Sequence, residues 1–135
     1  MTQLKWNHAL SVGVRILDQQ HGVLLDTLNQ LSVGIAGDAP ANEVRELIER
    51  LVDYTQRHFQ SEEALMEQYG FPGRLEHQAE HQRLLAQIVD AARAMQLGEP
   101  VHLRTMVGYV RQWFVTHTEG IDRVLGEWLN QQGVE

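Results

Sequence analysis

Seven histidines occur in this 135-residue chain, and five of them, with two carboxylates, fall at spacings that suit metal binding. His58 and Glu62 are four apart, as are His77 and His81, and side chains four apart on a helix project from one face. His117 is followed five positions later by Asp122, and His21 stands ahead of Leu24, Leu25 and Leu28. Imidazoles and carboxylates together offer a mixed nitrogen and oxygen donor set, the kind that iron accepts.

These side chains need elements that bring them together. Gly34–Pro40, Gly70–Gly73 and Gly98–Pro100 are Gly/Pro breaks of loop length, and they divide the chain into four long segments with helical periodicity. The first starts near Asp18, read as its N-cap, and carries Leu24, Leu25, Leu28, Leu31 and Ile35 on one face. The second carries Leu51, Thr55, Phe59, Leu65 and Tyr69, the third Leu84, Leu85 and Ile88, and the fourth Val110, Phe114, Ile121, Leu125 and Trp128. Short connections favour antiparallel neighbours, so the expected fold is all-α, an up-down-up-down antiparallel four-helix bundle with an extended N-terminal arm. Residues 1–135 form one domain in this reading, with the arm at 1–17 and the bundle at 18–131. The only candidate strand is Val12–Ile16.

Placed on those helices, the five histidines all continue apolar stripes, so every helix aims at least one imidazole at the core. One core histidine is ordinarily structural. Five without a metal would leave several buried ring nitrogens unsatisfied, at about 1–3 kcal/mol each, whereas coordination makes buried polar groups tolerable. With Glu62 and Asp122 the set over-supplies a single zinc, which takes four ligands or three plus water. Two six-coordinate ions sharing bridging carboxylates fit the count better. The Glu-x-x-His pattern of ferritin-like di-iron bundles is absent; its one occurrence, Glu99–His102, straddles Pro100. On an ideal helix His117 and Asp122 lie about 140° apart, so Asp122 must reach in from the edge of the stripe or the helix must be locally distorted.

The ordered set His21, His58-x-x-x-Glu62, His77-x-x-x-His81 and His117-x-x-x-x-Asp122 resembles the hemerythrin family, in particular its single-domain bacterial members. SVGVRILDQQH, HFQSEEALM with YGFP, and HQAEH extend the resemblance over nearly the whole chain. The resemblance implies two iron ions with an oxo or hydroxo bridge. His77, His81 and His117 would hold one iron and His21 and His58 the other, with Glu62 and Asp122 bridging. It places dioxygen at an open position on the two-histidine iron and implies reversible binding protected by apolar walls that keep water out. By position in the motif Leu24, Phe59 and Phe114 are candidates for those walls, although ordinary bundle core would look the same. Phe114 stands where the family pattern leads one to expect leucine, and Thr118-Glu119-Gly120 where an apolar residue should follow the histidine.

The implied function is that of a dioxygen carrier, store or supplier to an oxygen-using enzyme, not itself an enzyme. The alternative is a di-iron redox enzyme or sensor acting on peroxide, nitric oxide or ferrous iron, with a signalling partner in trans. A shortage of titratable residues beside the cluster counts against an enzyme. Other classes fit poorly. The chain has no cysteine, which removes disulfides, thiolate metal sites and cysteine nucleophiles. A net charge of −7 and scattered basic residues disfavour nucleic acid. No apolar stretch is long enough to span a membrane, and the N-terminus lacks a signal-peptide pattern, so the expected location is cytoplasmic. His8 and His102 read as surface residues, and Glu63 as part of a solvated face.

Overall fold

The computed structural model describes residues 5–135; the first four residues of the arm lie outside the described part. Helix α1 spans Arg15–Ala36, α2 Ala41–Tyr69, α3 Arg74–Gln96 and α4 Leu103–His117. A π turn, Thr118–Asp122, then leads without a break into α5, Arg123–Gln131. Backbone angles stay helical through the junction, so α4, the π turn and α5 make one rod. Four rods result, as the periodicity predicts. Packing of α1 on α2, α2 on α3, α3 on α4 and α4 on α1 closes the antiparallel bundle. Among the described residues no helix is long and apolar enough to cross a membrane.

The turns follow from local chemistry. Helix α2 stops at Gly70, which adopts a left-handed φ of 68°, and Phe71 N–H closes the end by donating to Met66 O at 2.8 Å. That tight reversal lets α3 start at Arg74 and turn His77 and His81 back towards α2.

Two apolar clusters make the core. The larger joins Leu24, Leu28, Leu31, Ile48, Leu51, Ile88, Val107 and Val110, all almost fully buried. The smaller joins Leu17, Met66, Leu125 and Leu129 to Val12 and Val14 of the arm. Each buried aliphatic side chain contributes about 1.5–3 kcal/mol. The two clusters anchor the rods on either side of the polar residues: His21 lies between Leu17 and Leu24, Glu62 between Phe59 and Met66, and Asp122 between Phe114 and Leu125.

Two details of the N-terminal segment differ from the sequence expectation. Helix α1 begins at Arg15 behind Val14, so Asp18 is inside the first turn rather than at the N-cap. Its carboxylate is used by the arm instead, accepting from Ser11 Oγ at 2.6 Å and Val12 N–H at 2.8 Å. Nor does Val12–Ile16 form a strand. No neighbouring strand is present among the described residues, so its backbone turns to side chains, with Asn130 Nδ2 donating to Gly13 O at 2.9 Å. The arm lies so close to α5 that Val12 O fills the space a side chain would need at Gly126.

Candidate metal centre

All seven polar residues singled out by spacing are buried, each at most 3 % exposed, and they meet in the middle of the bundle. The π turn solves the His117–Asp122 problem. One extra residue in the helical path re-phases the rod, so the two side chains face the same way with Nε2 and Oδ1 3.0 Å apart. Ile121, expected on the stripe, is thereby rotated to partial exposure and Asp122 takes the inward place.

Each carboxylate divides its two oxygens between two groups of imidazoles. Glu62 Oε1 lies 3.4 Å from His77 Nε2 and 3.3 Å from His81 Nε2, while Oε2 lies 3.4 Å from His58 Nε2. Asp122 Oδ1 lies 2.9 Å from His77 Nε2 and 3.0 Å from His117 Nε2, while Oδ2 lies 3.0 Å from His21 Nε2. His77, His81 and His117 therefore face one oxygen of each carboxylate, and His21 and His58 face the other. In each of the two resulting groups, every residue offers a donor atom within 4.8 Å of all the rest.

The cluster suits a cation better than it suits itself. Both ring nitrogens of His21 and His77, both oxygens of Glu62 and Oδ1 of Asp122 are buried and make no hydrogen bond of ordinary geometry. Close as they are, they approach one another off the hydrogen-bonding directions. His81 and His117 even oppose their Nε2 atoms at 3.3 Å. Leaving so many buried polar atoms unpaired would cost about 1–3 kcal/mol each, a cost that converging coordination would remove.

Electrostatics give the same picture. Burial alone would push His77 towards neutrality, yet Asp122 and Glu62 override it and raise its pKa to about 9. His21 is likewise raised, burial being outweighed chiefly by Asp122. Burial also opposes ionisation of Glu62, but His58, His77 and His81 hold it well below the usual carboxylate range. Asp122 is held low by His117, His21 and His77 against burial and the charge of Glu62. The pocket thus sustains two buried carboxylates only by keeping positive charge beside them.

An outer layer orients the rings, and sequence reasoning missed most of it. His58 Nδ1 meets Gln20 Oε1 at 2.7 Å, and Gln20 Nε2 donates to Ser61 Oγ at 3.0 Å. His81 Nδ1 meets Glu63 Oε2 at 3.3 Å, and His117 Nδ1 meets Glu80 Oε2 at 3.1 Å. Glu63 is therefore not part of a solvated face; the turn of α2 beside Glu62 points it at the α3 seam. Each of the three flanks a candidate ligand on its own helix, about 100° off the stripe, and serves a ligand on another rod. That position next to a ligand is the signal that could have found them. Phe59 stacks on His81 with ring centroids 3.7 Å apart, and Trp113 on His117 at 4.1 Å. Phe114 presents an edge contact to His21 at 5.8 Å, and Leu24 is buried in the larger apolar cluster. His8 and His102 are exposed, away from the centre, as expected.

Comparison with known proteins agrees with this geometry. Residues 12–129 match the model of the hemerythrin HHE cation binding domain. The chain is 33 % identical over 129 residues to a bacteriohemerythrin of Stenotrophomonas maltophilia, covering 94 % of this chain and 82 % of that one. It is 29 % identical to a bacteriohemerythrin of Methylococcus capsulatus, covering 96 % and 99 % respectively. A crystal structure of wild-type hemerythrin superposes with a TM-score of 0.87 at 28 % identity, covering 93 % of this chain and 97 % of that one.

Proposed function

The chain belongs to the hemerythrin family, and on that footing we propose that it binds dioxygen reversibly at a centre of two iron ions. The observation that carries this reading is the division of the carboxylate oxygens between a three-histidine and a two-histidine group. His77, His81 and His117 would hold one iron through Nε2, and His21 and His58 the other, with Glu62 and Asp122 spanning both. When bound, two iron ions with an oxo or hydroxo bridge would supply the electrons that dioxygen binding requires and recover them on release.

The protein's own part is to position and to exclude. Nδ1 partners on His58, His81 and His117 leave Nε2 facing inward. Phe114, edge-on to His21, and Leu24 of the larger apolar cluster would wall the two-histidine side, and Phe59 covers His81 while also approaching His58 at 6.0 Å. Water kept from this volume cannot deliver the protons that would convert reversible binding into irreversible oxidation. Among the described residues the further carboxylates at the centre, Glu63 and Glu80, meet the outward Nδ1 atoms of His81 and His117 and not the inner Nε2 side, which favours a carrier, store or supplier in the cytoplasm over an enzyme. The recipient of the gas would be an oxygen-using enzyme.

Anaerobic reconstitution with ferrous iron, followed by cycles of oxygen and argon, tests the proposal. A visible charge-transfer band should rise with oxygen and disappear on its removal over several cycles. Prompt oxidation that argon does not reverse would replace it with the redox-enzyme or sensor reading.

A further inference from the structure

The two halves of the centre are not supported alike. On the three-histidine side, two rings carry a carboxylate on Nδ1: His81 has Glu63 at 3.3 Å and His117 has Glu80 at 3.1 Å. The same two rings are clamped face to face by Phe59 and Trp113, with interplanar angles of 1° and 14°. On the two-histidine side His58 has only the neutral amide of Gln20, whose orientation is fixed because Nε2 donates to Ser61 and leaves Oε1 for the ring. Neither ring nitrogen of His21 has a hydrogen-bond partner, and the same holds for His77 in the other half, so each half has one unsupported ring and the halves differ in what supports the rest. An imidazole whose N–H donates to a carboxylate becomes a more basic, stronger donor at its other nitrogen, an effect that typically changes metal affinity by about 10–100-fold. A neutral amide orients without adding charge.

We infer that Glu63 and Glu80 are positioning residues that make the His77, His81 and His117 half the tighter metal position, so that the centre fills in order. The first metal enters that half and the second enters the Gln20-supported half. This rests on the two-metal reading of the site. Glu63 and Glu80 are about a third exposed, at 30 % and 32 %, so solvent weakens their influence, and an effect near the lower end of the range is expected.

The test is anaerobic titration of the metal-free chain with Co2+, an air-stable stand-in for ferrous iron with visible ligand-field bands. Wild type should take up two Co2+ in two resolved steps. The double variant Glu63→Gln with Glu80→Gln keeps acceptor oxygens in place but removes the charge, and should weaken the first step about tenfold or more while leaving the second unchanged. Gln20→Glu should do the reverse, strengthening the second step by a similar factor, a gain that a purely structural role would not produce. Circular dichroism of each metal-free variant establishes that it is folded before titration. Two Co2+ per chain with steps that ignore these charges, or a double variant that weakens both steps equally, would overturn the inference and leave the two-metal reading standing. A folded wild type that takes up no Co2+ would overturn both.

Discussion

A single methyl group at Gly126 should destabilise this protein more than its chemistry suggests. A Cβ built there would run into Val12 O and lie 2.9 Å from Val12 C, both backbone atoms. Ordinary contact begins near 3.4 Å, so arm and helix would have to separate. The arm has little freedom to yield, being tied through Ser11 and Val12 to Asp18 and through Gly13 to Asn130. Lifting it uncovers Val12 and Val14, which are 3 % and 1 % exposed in the cluster with Leu125 and Leu129. Overpacking costs about 1–3 kcal/mol, and partial loss of two buried valines adds about 2 kcal/mol more. Alanine's better helix propensity returns about 1 kcal/mol. Gly126→Ala should therefore lose about 2–4 kcal/mol, a fall in Tm on the order of 10 °C. Gly108, on the exposed face of α4, is the control: a Cβ there meets nothing within 4 Å, so Gly108→Ala should gain about 0.5–1 kcal/mol. Thermal and urea unfolding of both variants against wild type is the assay. Equal stabilisation by the two substitutions would refute the placement of the arm.

Other outcomes follow from the centre. His77→Ala or His81→Ala should sharply reduce the iron retained per chain, whereas His102→Ala, on the surface, should leave it unchanged; equal losses in iron analysis would sink the site assignment. In the chelator-treated protein, His77 is raised from 6.5 to about 9, so its contribution is complete below pH 6.5 and is lost as pH climbs through 9. Glu62 and Asp122 are lowered, so their contribution is present above the usual carboxylate range and is lost only in acid. Urea unfolding should thus show the metal-free protein weaker at pH 9 than at pH 6 by roughly 2–3 kcal/mol; greater stability at pH 9 would contradict the charge assignment. Phe114→Ala should leave iron content intact, cost about 3–5 kcal/mol as a core truncation, and speed irreversible oxidation of the oxygenated protein, followed as decay of its visible band.

The helices, the bundle and the convergence of seven side chains were legible because they depend on periodicity within one element. His58 and Glu62, or His77 and His81, share a face wherever that helix is packed, and their stripes already contained leucines. The five-residue step from His117 to Asp122 was legible only as a conflict. Its resolution needs a π turn, which has no side-chain signature strong enough to read and which trades Ile121 for Asp122 on the inner face. The arm was placed in outline, but its bonds to Asp18 and Asn130 join residues that no periodic pattern links. Gln20, Glu63, Glu80 and Trp113 escaped for a similar reason. They lie at the seams between rods, and their partners on other helices are fixed by the rotation of each rod, which hydrophobic patterning sets only coarsely.

The central claim is that Glu62 and Asp122 each span two metal positions. Anomalous diffraction at the iron edge from crystals of the reconstituted protein addresses it directly. The account predicts two iron peaks within the bundle, one among His77, His81 and His117, the other between His21 and His58, with one oxygen of each carboxylate on each. A single peak, or two peaks served by separate carboxylates, would contradict it.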